Sequence, residues 1–168
     1  IQTSNDPRQL AKKMHRIYDI TDGSDDYFML NGRSFPYTLR ESLITVEPNQ
    51  HTKLRLLNGT PDVIAFHPHG HKPTVTAYDG VEVNPANRIQ RDVFTLSSAQ
   101  RIDLDLYTKD DGLNSYGEGV WLVHDHAERA ITTNGINPGG NVSQIVYRKY
   151  LNKNAMAKVE GVSLMPYF

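Results

Sequence analysis

From Tyr27 onward the apolar residues fall into short alternating runs, and those runs are broken by turn-forming pairs at fairly regular intervals. That pattern constrains the fold more than any other feature, because a period of two belongs to strands and cannot also satisfy a helix. The runs predict strands at Tyr27–Leu30, Leu43–Val46, Thr52–Leu57, Val63–Gly70, Val75–Tyr78, Asp92–Leu96, Arg101–Tyr107, Gly119–His124 and Gln144–Tyr150. Asn31-Gly32, Asn58-Gly59 and Asp79-Gly80 follow three of them, and these are the pairs favoured in two-residue hairpin turns because both positions accept positive φ. Many short strands with little helix imply an all-β sandwich or barrel. The final run, 152–168, has weak periodicity and is expected to be a strand or a surface tail.

A short helix is expected ahead of the strands. Asp6 can cap it, Pro7 suits its first position, Gln9 can reach back as in a capping box, and Leu10, Met14 and Ile17 form one apolar stripe. The acidic, turn-rich stretch from Asp19 to Asp26 reads as a linker. The expected organisation is therefore a helix and linker over residues 1–26 and one β domain over 27–168, consistent with domains that usually run to roughly 100–150 residues. The chain opens on Ile1, an unusual initiator, so a terminus set by processing, by a chosen boundary or by removal of an upstream domain is expected, where an export signal could have been lost.

Composition excludes several function classes. The formal charge of -1 and the absence of a basic run argue against nucleic acid and anionic membranes as partners. No apolar stretch approaches the roughly 18–20 residues of a spanning helix. The chain has no cysteine, which removes disulfides, thiolate zinc sites and thiol nucleophiles. No nucleophile elbow, phosphate loop or dinucleotide fingerprint is present.

The chemistry is concentrated in histidine. Five of the seven lie in Phe66-His67-Pro68-His69-Gly70-His71 and Trp121-Leu122-Val123-His124-Asp125-His126. On a strand, alternate residues share a face, so His67, His69 and His71 are expected on one side of their strand and His124 and His126 on one side of theirs. If those strands are neighbours, four or five imidazoles converge. Neutral imidazole is the commonest metal ligand, whereas clustered imidazoles without a metal repel one another whenever they protonate. A lone His-x-His is usually a surface pair; two such clusters, each after an apolar strand, favour a transition-metal site. His15, beside Lys12, Lys13 and Arg16, and His51, before a strand, are expected to be solvated. Met156 and Met165 are soft thioether candidates whose commoner role is filling a core. Asp125 should point away from its flanking histidines, and Trp121 is most simply a core anchor.

An ordered series of segments, Asn31-Gly32-Arg33-Ser34-Phe35-Pro36, Lys53 to Gly59, Phe66 to His71, Asp79-Gly80, Gln100 to Leu104, Trp121 to His126 and the glycines Gly135 to Gly140, resembles a cupredoxin domain of a multicopper oxidase from about Phe28 to Tyr147. The resemblance implies a cupredoxin-like Greek-key β-sandwich, copper as the metal, and a periplasmic or secreted location. In that family the corresponding stretches supply ligands to type 2 and type 3 coppers, which makes His67, His69, His124 and His126 the matching candidates; His71 matches a position less consistently used, as a fifth ligand or a support for one.

The departures from the family pattern carry as much information. Asp125 stands where the family has a cysteine, and Ile64 and Ala130 stand where it has histidines. A blue type 1 centre needs that thiolate and those imidazoles, so it is absent. The family's trinuclear cluster also draws eight histidines from two domains, more than this chain offers, so either a partner domain or another copy completes it or the chain holds just one or two coppers in a histidine-only site. Three functions remain open on this reading: a redox module acting on dioxygen, a non-catalytic copper storage, delivery or resistance protein, and a sandwich holding zinc.

Overall fold

The structure is a computed structural model and describes residues 25–158. The expected helix at Asp6–Ile17, His15 and Met165 lie outside the described residues. The described chain folds as a two-sheet β-sandwich of the cupredoxin kind. One turn of helix, α1 (Thr38–Glu41), precedes the strands β1 (Ile44–Val46), β2 (His51–Leu57), β3 (Ile64–Pro68), β4 (Thr74–Tyr78), β5 (Val81–Glu82), β6 (Phe94–Leu96), β7 (Arg101–Tyr107), β8 (Val120–Asp125) and β9 (Ser143–Tyr147). One sheet has the order β1-β9-β8-β3-β6 and the other β2-β7-β4-β5. Only the β1–β9 pair is parallel.

The alternation seen in the sequence is what assembles the sandwich. In β7, Ile102, Leu104 and Leu106 are buried while Arg101, Asp103, Asp105 and Tyr107 face outward, so one strand supplies a core row and a solvated row. That row meets Phe66, Phe94, Leu96, Val123, Ile145 and Tyr147 from the five-stranded sheet, giving a continuous core between the layers. On the outer face of the other sheet, Lys53 and Arg55 lie beside the Asp103 carboxylate, as expected for a face turned to water.

Three local expectations change. Tyr27–Leu30 is not a strand: Tyr27 makes a single bridge to Thr133, and Leu30 closes a tight turn onto Arg33. The hydroxyls of Ser34 and Ser42 take the carbonyls of Phe28 and Leu30 that a strand neighbour would have taken. Asn58-Gly59 is not a hairpin turn, because β2 pairs with β7 and the chain crosses here to the other sheet. Asn58 is buried and braces that crossing, donating to the carbonyls of Asp62 and Leu96 and accepting from the Thr60 amide. Asp79-Gly80 does form its hairpin, with φ of 49° and 86°, and so creates the short strand β5 that the sequence pattern left out. The predicted strand to Tyr150 ends at Tyr147, where Arg148–Tyr150 forms a turn of 3-10 helix; beyond it Leu151 bridges to Ala157.

Candidate metal centre

Strands β3 and β8 are antiparallel neighbours, with Phe66 opposite Asp125, His67 opposite His124, and Pro68 opposite Val123. Pairing continues beyond both strand ends: the His69 amide donates to the Leu122 carbonyl and the His126 amide to the Ala65 carbonyl, at 2.9 and 2.8 Å. Because the side-chain period is two, Phe66, Pro68, Val123 and Asp125 turn into the sandwich. The same register collects His67, His69, His124 and His126 on the other face.

The four rings converge. The His67 ring centroid lies 4.2 Å from that of His69, 5.3 Å from His124 and 5.1 Å from His126, and those of His124 and His126 are 5.5 Å apart. The Nε2 atoms of His69 and His124 are 3.0 Å apart. One ligand-capable nitrogen from each of His67, His69 and His124 falls within 4.8 Å of the other two. Nδ1 of His124 lies 2.8 Å from the Asp125 carbonyl, which only accepts, so Nδ1 carries the proton and Nε2 presents its lone pair. Nδ1 of His67 is buried without a hydrogen-bond partner. A buried nitrogen left in that condition costs stability unless something binds it, so the donor set suits a metal ion.

Electrostatics keep the donors neutral. Burial, then repulsion from His67, His124 and His126, lowers the pKa of His69 to about 4. Burial, followed by repulsion from His124 and His126, also pushes His67 down, while the Asp92 carboxylate opposes that shift. Burial dominates the downward shift of His124. An imidazole that resists protonation keeps its lone pair for a metal.

His71 does not join the four. The strand ends at Pro68 and Gly70 takes φ +69°, so the alternation stops and the His71 side chain swings inward. It is 1% exposed, with Nδ1 2.9 Å from the His69 carbonyl and Nε2 3.0 Å from the Tyr147 hydroxyl. Both nitrogens are thus engaged within the protein. Tyr147 and Ser115, which meet above His71, were invisible as site residues in the sequence, since nothing marks a strand tyrosine or a loop serine as a neighbour of a histidine cluster.

The remaining candidates fall into structural roles. Asp125 is 7% exposed, and its carboxylate accepts from the amides of Ala65 and Ala127 at 2.9 and 3.1 Å. It braces the end of the β3–β8 ladder from the face opposite the histidines. Ala130 is buried in a 3-10 turn and Ile64 opens β3, so all three positions that would serve a type 1 copper carry side chains unable to build one. His51 is exposed, stacked on Tyr107 and paired with the Asp105 carboxylate. Met156 sits in the turn closed by the Leu151–Ala157 bridge, not on β3 or β8. Trp121 lies against Gly70, where an added Cβ would come within 2.3 Å of its ring, and Nε1 donates to the Gly117 carbonyl. Among the described residues no helix is long and apolar enough to cross a membrane.

The family model described as "Multicopper oxidase" matches residues 9–137. No curated protein matches the chain. Among solved structures, the multicopper oxidase mgLAC is 28% identical with a TM-score of 0.65, over 75% of this chain and 36% of that one. The blue copper oxidase of Nitrosomonas europaea is 25% identical with a TM-score of 0.68, over 84% of this chain and 41% of its own. The copper-containing nitrite reductase of Thermus scotoductus SA-01, 22% identical over 78% of this chain and 27% of its own with a TM-score of 0.58, shares the fold. The chain therefore spans well under half the length of these proteins.

Proposed function

The chain belongs to the multicopper oxidase family, and from that premise we propose that His67, His69, His124 and His126 hold copper in a histidine-only site of the type 2 or type 3 kind with a redox role. The observation that carries the proposal is the convergence of three ligand-capable nitrogens within 4.8 Å of one another, one of the three residues, His67, having a buried Nδ1 with no partner. Bound copper would supply one-electron chemistry at a centre able to use dioxygen as the acceptor.

The protein's own contribution is arrangement. The β3–β8 register sets His67 against His124, the Asp125 carbonyl fixes the His124 tautomer, and burial keeps His67, His69 and His124 neutral. Asp125 faces away and is committed to backbone amides, so it is not the acid that serves this face. The Asp92 carboxylate is the acidic charge that acts on this face, opposing the downward shifts of His67 and His69.

The absence of cysteine supports a module without its own type 1 centre, fed with electrons from elsewhere. The four rings lie on a sheet face directed away from the core, and the chain spans 36% and 41% of two related oxidases. Both observations support completion of the site by a partner domain or a second copy of the chain. A periplasmic or secreted location is part of the same proposal, supported by the family resemblance and tested by cell fractionation.

The missing type 1 centre also favours a second reading, a copper storage, delivery or resistance protein. Oxygen consumption by copper-loaded protein supplied with a diphenol or cuprous ion separates the two. Turnover that depends on His67 and His124 is expected for the redox module; stoichiometric copper binding without turnover would establish the carrier instead. Metal analysis of protein purified without added metal separates copper from zinc.

A further inference from the structure

The Tyr147 hydroxyl, the His71 ring and the His69 carbonyl form a buried hydrogen-bonded series ending at the peptide that carries one of the four clustered imidazoles. His71 Nδ1 is 2.9 Å from the carbonyl oxygen of His69, an acceptor only, so Nδ1 is the protonated nitrogen. In the neutral ring Nε2 must then accept, and Tyr147, 3.0 Å away, must donate to it. Tyr147 is 0% exposed and Ser115 Oγ is 3.5 Å from its hydroxyl, so the phenol is held from the far side as well. Trp121 meets the His71 ring edge-on, with centroids 5.8 Å apart, and its own ring fills the space beside Gly70.

We infer that Tyr147 and His71 are positioning residues for His69: the Tyr147 hydroxyl anchors the His71 ring, whose Nδ1–H holds the His69 carbonyl, and with it the peptide that sets the His69 Nε2 3.0 Å from that of His124. The inference rests on the proposed role of His69 as a copper ligand. The physical step is the loss of an anchor. The His69 carbonyl fixes the Nδ1–H tautomer by itself, and the phenol holds the far end of the ring by donating to Nε2. Remove the hydroxyl and Nε2 is left buried without its donor, so the ring shifts and the Nδ1–H bond to the His69 carbonyl weakens.

Tyr147→Phe removes the hydroxyl and keeps the ring that packs in the core. The first readout is made on metal-free protein: long-range proton–nitrogen correlation is expected to show His71 as the Nδ1–H tautomer in both proteins, with the Nδ1–H proton moved upfield in the variant as its bond to the His69 carbonyl weakens. The second is copper binding followed by electron paramagnetic resonance, where an affinity lower by about tenfold is expected, the low end of what supporting hydrogen bonds to metal ligands contribute, with altered copper hyperfine splitting. Ile102→Val, in β7 of the other sheet, is the control for a modest loss of core packing and should leave the spectrum unchanged. A pair at His71 gives a test that does not depend on Tyr147: His71→Asn, which can still donate to the His69 carbonyl, should keep the wild-type spectrum, and His71→Leu should not. An Nε2–H tautomer in the wild type, or a wild-type copper spectrum in both Tyr147→Phe and His71→Leu, would overturn the inference. Failure of the wild type to bind copper at all would instead overturn the proposed function, and the metal-free tautomer measurement tells the two failures apart.

Discussion

His67 stands directly opposite His124 across the β3–β8 ladder, with their rings on the side of the sheet that faces away from the core. This register, rather than either histidine-rich stretch alone, creates the four-imidazole cluster. Each stretch contributes two rings at a spacing of two residues, and the ladder merges the two pairs.

The cluster makes the metal-free protein acid-sensitive. His67, His69 and His124 all have pKa values below the usual 6.5, that of His69 falling to about 4. Above 6.5 these rings are neutral whether the chain is folded or not, and they add no pH dependence. As pH falls from 6.5 toward 4 the unfolded chain takes up protons that the folded state resists, so stability falls through that window and levels off below it. The midpoint of urea unfolding measured across this range should decline with pH in the wild type and decline less in His69→Ala, which lacks the most strongly shifted group.

Gly70 is the hinge that sends His71 inward. Its φ of +69° and the Trp121 ring, 2.3 Å from where a Cβ would sit, both oppose a side chain. Gly70→Ala should therefore lower stability by about 1–3 kcal/mol, the combined scale of backbone strain and overpacking. Trp121 is the sole tryptophan of the chain, so its fluorescence reports the displacement without interference. An unshifted emission spectrum and an unchanged unfolding midpoint would show that the turn tolerates a side chain.

Asp125 is structural and faces away from the histidines. Asp125→Ala leaves the part-buried amides of Ala65 and Ala127 without their acceptor, and a cost of about 0.5–1.5 kcal/mol is expected, the net worth of a typical hydrogen bond. Asp125→Cys restores the family's thiolate, yet Ile64 and Ala130 supply no imidazole, so copper-loaded Asp125→Cys should lack intense blue absorption. An intense blue band from that single substitution would mean that other ligands complete a type 1 centre.

The outward face shared by the clustered histidines was legible in the sequence, because strand alternation is a local property that His67, His69, His124 and His126 obey. The neighbouring of β3 and β8 entered the sequence reading only as a condition, and its register was not legible, since pairing between residues some 57 positions apart depends on the whole sheet. His71 departed from its expected face because one positive φ at Gly70 ends the period of two. Asn58-Gly59 has the composition of a hairpin turn, yet the buried Asn58 side chain ties down a crossing between sheets, which local turn chemistry cannot reveal. Tyr27–Leu30 alternates like a strand but has no partner strand, and Ser34 and Ser42 satisfy its carbonyls instead.

The most direct measurement is copper stoichiometry with the accompanying electron paramagnetic resonance spectrum, compared between the wild type and His124→Ala/His126→Ala. Removing the β8 pair leaves only His67 and His69 on this face, and two imidazoles cannot hold the ion as four do. The wild type should bind copper with nitrogen hyperfine structure from imidazole, and the double variant, still folded, should lose most of its copper. Equal stoichiometry and an identical spectrum in the two proteins would contradict a site shared between β3 and β8.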